Sequence, residues 1–505
     1  MQSIFAKNGS ETPEPVKAEV TGSVPSWLQG TLLRNGPGLF SVGSCEYNHW
    51  FDGMSLIHSF TFRNGEMTYR SKFLKSHTYN RNIKADKIVV SEFGTMIYPD
   101  PCTNIFSRAF THLRNIISNF TDNNLINIIR YGQDYYATSE INYMNQIDPG
   151  TLETIGRVRD HITLNLATAH PHYDNEGNTY NMGTTIMGFG RPKYVLFKVP
   201  ADTSDKKQKK PALRKVQQVC SIPCRSTLFP SYFHSFGMTD NYIVFVEQSF
   251  KLDIVRLATA YFRGLTWGKC LIFDKDDNTL FHIINKKTGK AISTRFYGDA
   301  LVVFHHINAY EDDDHVVFDL ISYKNSNLYD MFYIHNMKQE TSNFIESNKS
   351  FSPPRCQRFV LPLNIHKVQF NHKPQKIQAR TLGLSSKLSE LMLITLSPHH
   401  NEYFYGSRLE WSPFPNKIAK FDIVTRKHIE WEQENCYPSE PVFVASPGAV
   451  DEDDGLILSS VISTDPNISP FMLVLNAKTM EEVSRASIPA SVHIDLHGLF
   501  IPATD

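Results

Sequence analysis

Four segments of the chain share one short pattern, in which an apolar strand end is followed by Asp or Asn, two variable residues and Thr. They are Ile147-Asp148-Pro149-Gly150-Thr151, Ile284-Asn285-Lys286-Lys287-Thr288, Phe421-Asp422-Ile423-Val424-Thr425 and Leu475-Asn476-Ala477-Lys478-Thr479. An Asp or Asn side chain can cap its own turn, so each segment is predicted to be the tip of a β-hairpin. The Asx positions follow one another at intervals of 137, 137 and 54 residues. A four-stranded blade takes about 40–50 residues, so 137 residues correspond to about three blades of a β-propeller. Such tips are also common outside propellers, in which case the equal spacing is chance.

The rest of the chain is dominated by short stretches rich in Val, Ile, Phe and Tyr. Examples are residues 194–199, 242–247, 301–305 and 456–462, each bounded by turn-forming residues. These stretches predict antiparallel strands and therefore an all-β fold with inserted loops. The run Arg34-Asn35-Gly36-Pro37-Gly38 is predicted to be a turn, and no glycine-rich phosphate loop lies between a strand and a helix.

Charge and cysteine usage limit the class of protein. Lys+Arg and Asp+Glu both number 51, which argues against nucleic acid as a partner, because phosphate recognition normally leaves a basic excess. The seven cysteines are scattered without a CxxC pair, which argues against a disulfide framework or a thiolate zinc site. The polar start and the lack of an apolar run of about 18 residues predict a cytosolic protein without a membrane span.

Two amphipathic segments interrupt the strand pattern, at residues 106–120 and 252–267. In the first, Phe106, Phe110, Leu113 and Ile117 recur at helical spacing with arginines on the other face. Both segments are compatible with surface helices that pack on the sheets. The alternative is that they dip into a membrane surface, make peripheral contact with it and load a lipid-like substrate.

Four histidines stand out because they follow apolar or small residues in strand-like context: His170, His234, His305 and His497. A single histidine is more often a hydrogen-bonded structural residue than a ligand. The four are too far apart along the chain for a local zinc motif. A propeller could nevertheless gather distant strands around one axis, with one imidazole from each.

Several blocks of sequence, in order, resemble the carotenoid cleavage oxygenase family over nearly the whole chain. They are residues 27–38 (WLQGTLLRNGPG), 47–53 (YNHWFDG), 91–96 (SEFGTM), 99–102 (PDPC), 304–312 (FHHINAYED), 437–443 (YPSEPVF), 451–455 (DEDDG) and 497–500 (HGLF). The resemblance is greatest to the animal members that cut β-carotene at its central double bond.

The resemblance implies a seven-bladed β-propeller formed by residues 1–505 as one domain, with a few short helices covering the active-site face. It also implies one Fe²⁺ per chain, held by His170, His234, His305 and His497 rather than by the doublet members His172 and His306. Glu140 and Glu440 map onto carboxylates that support ligand histidines in the family. Imidazole suits ferrous iron, and a carboxylate that accepts the outer N–H of a ligand fixes its tautomer and orientation.

The activity implied by the resemblance is cleavage of β-carotene by O2 at the 15,15′ bond to give two retinal molecules. Three alternatives stay open: eccentric 9,10 cleavage, a retinyl-ester isomerohydrolase that uses the metal without O2, and a non-catalytic propeller that carries carotenoid.

Residues 366–401 depart from the family pattern. They lack the third supporting carboxylate in its usual context, and Glu390 is the nearest candidate for that role. The resemblance leaves two alternatives open for Cys102: a lipidated cysteine, or a buried or free thiol, which fits equally well.

Overall fold

The fold is a ring of β-sheets. The computed structural model describes residues 2–97, 121–159, 164–186, 190–201, 211–351, 353–364, 376–383, 391–396, 402–408 and 414–503. Within these residues, seven sheets of four to six strands form the blades of a propeller, and two short two-stranded ribbons accompany them. The all-β, seven-bladed architecture is therefore confirmed.

The ring is closed by strands from both ends of the chain. Blade 1 consists, in sheet order, of Thr12–Lys17, Glu66–Phe73, Met54–Arg63, Gly30–Leu39 and His497–Pro502. Blade 7 consists of Glu19–Gly22, Glu482–Ser487, Phe471–Asn476, Gly455–Ser463 and Cys436–Pro438, with Val442–Ala445 also paired to Gly455–Ser463. Blades 1 and 7 thus each combine strands from the two ends of the chain. This pairing holds the ring closed and leaves few free sheet edges.

Blades 2 to 6 follow one another along the chain, except that one strand of blade 4, Lys376–Gln378, comes after the first three strands of blade 5. Blade 2 contains Asn127–Tyr131, Asp134–Thr138, Tyr143–Ile147 and Thr154–Arg159, and blade 3 contains Leu166–Ala167, His172–Tyr173, Thr179–Thr185, Lys193–Val199 and Gln217–Pro223. Blade 4 contains Gly237–Met238, Tyr242–Glu247, Thr279–Asn285, Lys290–Ala291, Arg295–Gly298 and Lys376–Gln378. Blade 5 contains Val302–Asp312, His315–Tyr323, Arg355–Pro362 and Arg380–Gly383, and blade 6 contains Leu391–Leu396, Tyr403–Arg408, Lys417–Asp422 and Lys427–Glu432.

Apolar side chains fill the space between neighbouring blades. Phe281 of blade 4 lies against Phe318 and Phe359 of blade 5, with ring centroids 4.8 to 5.5 Å apart. All three rings are buried. Such packing fixes the angle between blades and therefore the position of the inner strands.

All four predicted hairpin tips are confirmed. In each, the Asp or Asn side-chain oxygen accepts the backbone N–H of the Thr three residues later, at 2.7 to 3.1 Å. The predicted number of blades between them was wrong, because the tips lie in blades 2, 4, 6 and 7. An interval of 137 residues spans two blades rather than three, because long segments are inserted into the ring, for example between Glu247 and Thr279 and between Tyr323 and Arg355.

The predicted turn at Arg34 was also wrong. Residues Gly30–Leu39 form a strand that pairs with Met54–Arg63 on one side and His497–Pro502 on the other. The register shifts between Pro37 and Leu39, so the proline stands at an irregularity where a strand tolerates a missing N–H.

The helices of the described residues are short and lie outside the blade strands, most of them in segments inserted between strands. They are the α-helices His77–Ala85, Ile254–Arg263, Leu328–Met331, Ile334–Met337 and Thr341–Ser347, with 3-10 turns at Gln2–Ala6, Trp50–Asp52, Ala212–Lys215 and Gly268–Cys270. The amphipathic segment predicted at 252–267 is therefore helical only in its central part. The helices of the described ranges are all too short or too polar to traverse a bilayer.

Candidate metal centre

The structure brings together the four histidines singled out in the sequence. One ring nitrogen from each of His170, His234, His305 and His497 lies within 4.8 Å of the other three. The shortest separation joins Nε2 of His170 to Nε2 of His234, at 2.9 Å. Residues from blades 3, 4, 5 and 1 thus meet at one point, where a metal ion could be held.

Each histidine reaches this point from an inner strand or the loop beside it. His170 precedes His172–Tyr173, and His234 precedes Gly237–Met238. His305 lies within Val302–Asp312, where the register with the neighbouring strand shifts between Val303 and His306. Such an irregularity can redirect one side chain out of the regular alternation. His497 is the first residue of the strand that closes blade 1, opposite Asn35.

The doublet neighbours do not belong to this group. The Nε2 atom of His172 lies 2.7 Å from the carbonyl oxygen of Phe236. The Nδ1 atom of His306 lies 2.9 Å from the hydroxyl of Ser235. Both rings are thus engaged elsewhere, and the first member of each doublet faces the shared point.

Two of the four histidines, His234 and His497, each have their Nδ1 atom held by a different carboxylate. Glu140 hydrogen-bonds Nδ1 of His234, and Glu440 accepts from Nδ1 of His497 at 2.8 Å. A ring whose Nδ1–H is donated to a carboxylate has its lone pair on Nε2, which is the atom that faces a metal. Burial, together with the neighbouring imidazoles, holds the pKa of His170 and of His305 well below the ordinary value.

These features fit a divalent first-row metal ion. Metal ligation requires neutral imidazole, and the lowered pKa values favour that form. The lone pairs of two facing Nε2 atoms repel one another unless a proton or a cation lies between them. Four neutral nitrogen donors without a thiolate suit iron, copper, nickel or zinc better than magnesium or calcium.

Each carboxylate is itself held in place. The Tyr232 hydroxyl lies 2.8 Å from both oxygens of Glu140, and it also lies 3.2 Å from the hydroxyl of Tyr329. Because Tyr232 is two residues before His234, the same short segment supplies both the ring and the group that orients its partner.

Glu440 belongs to a buried charged network. The Arg34 guanidinium donates to Glu440 at 2.8 Å, to Asp495 at 2.6 Å and to the carbonyl of Leu496 at 2.7 Å. Burial alone would raise the pKa of Glu440, but His497 and Arg34 lower it below the ordinary value. The carboxylate therefore stays ionised while it accepts from His497.

His305 differs from His234 and His497, whose rings are held by carboxylates. In the ranges that the structure describes, its ring makes no hydrogen bond with a carboxylate, and its low pKa reflects burial and other histidines. Glu390, the predicted candidate for this role, lies outside those ranges. The predicted membrane residues Phe106, Phe110, Leu113 and Ile117, and Cys102, lie outside them as well.

Sequence reasoning did not assign a role to Arg34, Asp495 or Tyr232. Arg34 begins a run rich in Gly and Pro, and the sequence pattern of this run predicts a turn rather than a strand. The position of Asp495, two residues before His497, was the available signal for that carboxylate. Tyr232 offered a similar signal, because it stands two residues before His234.

A cavity of about 220 Å³ adjoins the cluster. His234 and Glu140 form part of its wall, and most of the rest is apolar or aromatic. The aromatic members of the wall are Phe51, Phe93, Tyr232, Phe233, Trp267 and Tyr329. The insertions in blades 4 and 5 contribute Leu257 and Tyr329, so the inserted helices help to enclose the site.

The chain is similar to known proteins over nearly its whole length. It is 51% identical over an alignment of 524 positions, gaps included, to "Beta,beta-carotene 15,15'-dioxygenase" of Gallus gallus, with 100% of this chain and 99% of that protein covered. It is 37% identical over 525 such positions to "Carotenoid-cleaving dioxygenase, mitochondrial" of Homo sapiens, with 97% and 89% covered. The solved structure of cobalt-substituted Synechocystis apocarotenoid oxygenase has the same fold, with a TM-score of 0.76, 20% identity, and 100% and 99% of the two chains covered. A family model described as "Retinal pigment epithelial membrane protein" (RPE65) matches residues 5–502. The chain therefore belongs to the RPE65 family of carotenoid oxygenases.

Proposed function

We propose that this protein is an iron-dependent dioxygenase that cleaves β-carotene with O2 at the central 15,15′ double bond and releases two molecules of retinal. The observation that supports it most directly is the convergence of four imidazole nitrogens beside an apolar cavity. One Fe²⁺ per chain would be held by His170, His234, His305 and His497.

The protein side chains act by holding and orienting. When bound, ferrous iron supplies the redox chemistry that lets O2 react with a polyene. Glu140 and Glu440 fix the rings of His234 and His497 and return negative charge to a centre whose four nitrogen donors are neutral. No side chain is needed as a general base, because cleavage of a carbon–carbon double bond by O2 leaves no proton to remove.

The cavity suits a hydrocarbon. A carotene offers almost nothing to hydrogen-bond, so its position depends on the shape of apolar walls. His234 lies in the wall of the cavity, so a polyene in it would lie beside the four nitrogens. Which double bond is cut then depends on how far the polyene extends past the four histidine nitrogens.

Central cleavage is favoured over eccentric cleavage by the degree of similarity. The chain is 51% identical to a relative named for 15,15′ cleavage and 37% identical to one named only for carotenoid cleavage. The alignment with the first relative covers 99% of that enzyme, so the similarity is not confined to one part of it.

The reaction is tested by incubating the iron-loaded protein with β-carotene under O2 and separating the products by chromatography. We expect retinal as the sole product, with two molecules formed for each β-carotene consumed. Apocarotenals of unequal length would instead indicate eccentric cleavage. Binding of β-carotene without turnover would indicate a carrier, and conversion of retinyl ester under nitrogen would indicate an isomerohydrolase.

We also propose that the protein works in the cytosol and contacts membranes peripherally, since carotenes dissolve in membranes rather than in water. The six described cysteines are all free, which fits a reducing compartment. The helix Ile254–Arg263 exposes Val255 and Phe262, by 48% and 60%, while Leu257 on its other face lines the cavity. Leu228, exposed by 48%, accepts a backbone bond from Ile254 and extends the apolar surface.

A charge on this surface should impair substrate delivery. Replacing Phe262 with Asp removes an apolar anchor worth about 1.5–3 kcal/mol when buried, so we expect vesicle binding to weaken by about tenfold or more. Uptake of β-carotene from vesicles should fall, whereas detergent-delivered substrate should be cleaved at the normal rate. The matched control is Val424→Asp, at an exposed hairpin tip of blade 6. Equal losses in both delivery assays would contradict a role in membrane contact.

A further inference from the structure

A buried glutamine joins two of the histidine-bearing segments. Gln248 is 1% exposed and follows the strand Tyr242–Glu247 of blade 4. Its side-chain amide donates to the carbonyl of Tyr232 at 2.9 Å and to the carbonyl of Val303 at 3.1 Å. Its side-chain oxygen accepts the backbone N–H of Val303 at 2.5 Å. Tyr232 and Val303 stand two residues before His234 and His305.

A serine joins the same two segments on the other side of the histidines. Ser235 is the residue after His234, and its hydroxyl donates to the carbonyl of Phe304 at 2.6 Å. The same oxygen accepts the backbone N–H of His306 at 3.1 Å. These two backbone groups flank His305. Gln248 and Ser235 therefore bridge blade 4 and blade 5 immediately before and immediately after the two rings.

We propose that the bridge formed by Gln248 and Ser235 sets the separation of His234 and His305, and that both are positioning residues for the metal ion. This inference rests on the proposed function only in assuming that the four histidines bind a metal.

The bridge matters most for His305. The rings of His234 and His497 are each fixed by a carboxylate. Among the residues that the structure describes, no carboxylate hydrogen-bonds the ring of His305. The strand that carries His305 is also irregular here, because its register shifts between Val303 and His306. Regular sheet pairing therefore does not fix the position of His305 along the strand. The hydrogen bonds to Val303, Phe304 and His306 supply that restraint. A site that binds metal tightly tolerates only small displacements of its ligands.

The test compares Gln248→Met and Ser235→Ala with a matched control, Asn348→Leu. Methionine keeps the volume of glutamine but removes all three bonds. Asn348 is also buried, and its amide donates to the carbonyl of Phe344 at 2.8 Å, at the end of a helix in the blade 5 insertion. The control thus removes a comparable buried amide bond away from the cluster.

The measurement is titration of the metal-free proteins with Co²⁺, followed by the visible spectrum of the bound ion, together with thermal unfolding. We expect Gln248→Met and Ser235→Ala to weaken Co²⁺ binding by roughly 10–100-fold, as loss of an outer partner does, and to shift the Co²⁺ bands. Asn348→Leu should lower the melting temperature and leave the Co²⁺ affinity and spectrum unchanged.

Wild-type affinity and spectrum in both bridge variants would overturn the inference, as would an equal loss of affinity in the control. Should Gln248→Met not fold, Ser235→Ala decides the question alone, because it removes only one hydroxyl. Co²⁺ binding is independent of β-carotene cleavage, so failure of the bridge is distinguishable from failure of the proposed reaction.

Discussion

Replacing His234 with Ala is expected to remove metal binding and β-carotene cleavage together. Its imidazole supplies one of the four nitrogen donors found at the cluster among the described residues, and it also lies in the wall of the cavity. Its loss should lower metal affinity by more than the roughly 100-fold caused by loss of an outer partner. Iron content after gel filtration and retinal formation under O2 measure the two effects.

The matched control for this variant is His428→Ala. His428 lies on the blade 6 strand Lys427–Glu432, near Glu430, and is partly exposed. We expect that protein to keep its iron and its activity. Retinal formation by an iron-free His234→Ala protein would contradict a metal-dependent reaction.

Replacing Arg34 with Leu is expected to destabilise the protein by about 3–5 kcal/mol, the usual cost of breaking a buried ion pair from one side. Arg34 is 1% exposed, and its removal leaves the buried carboxylates of Glu440 and Asp495 without their cation. The effect should extend to the metal, because Glu440 is then free to move away from His497. Denaturant unfolding and Co²⁺ titration of the same preparation measure both consequences.

An exposed ion pair provides the control for Arg34. Lys17 and Glu66 are 2.6 Å apart in blade 1, with side chains more than half exposed. Such pairs contribute little, so Lys17→Leu should change neither stability nor metal affinity appreciably. An Arg34→Leu protein as stable as the Lys17→Leu protein would show that the buried network does not support the fold.

The hairpin tips were readable from sequence because they are local. An Asx side chain, two residues and a Thr suffice to specify the turn, whatever surrounds it. The number of blades between tips was not readable, because insertions change the residue count without changing the number of strands. The inserted helix Ile254–Arg263, for example, adds length to blade 4 but no strand to its sheet.

The site was only partly predictable. Spacing alone left the four histidines as a weak hypothesis, and the family resemblance singled them out. Arg34 was missed because Gly36, Pro37 and Gly38 favour a turn locally, whereas pairing on both sides makes this segment a central strand of blade 1. The bonds of Gln248 and Ser235 across two blades leave no local pattern at all, since each joins residues more than 15 positions apart or in different blades.

The most direct measurement is anomalous X-ray scattering from crystals of the iron-loaded protein, recorded on both sides of the iron absorption edge. We expect one iron peak per chain, at roughly 2 Å from a ring nitrogen of each of His170, His234, His305 and His497, close to the distance of zinc–imidazole bonds. A peak at any other position, or four converging histidines with no iron between them after loading, would contradict the proposed centre.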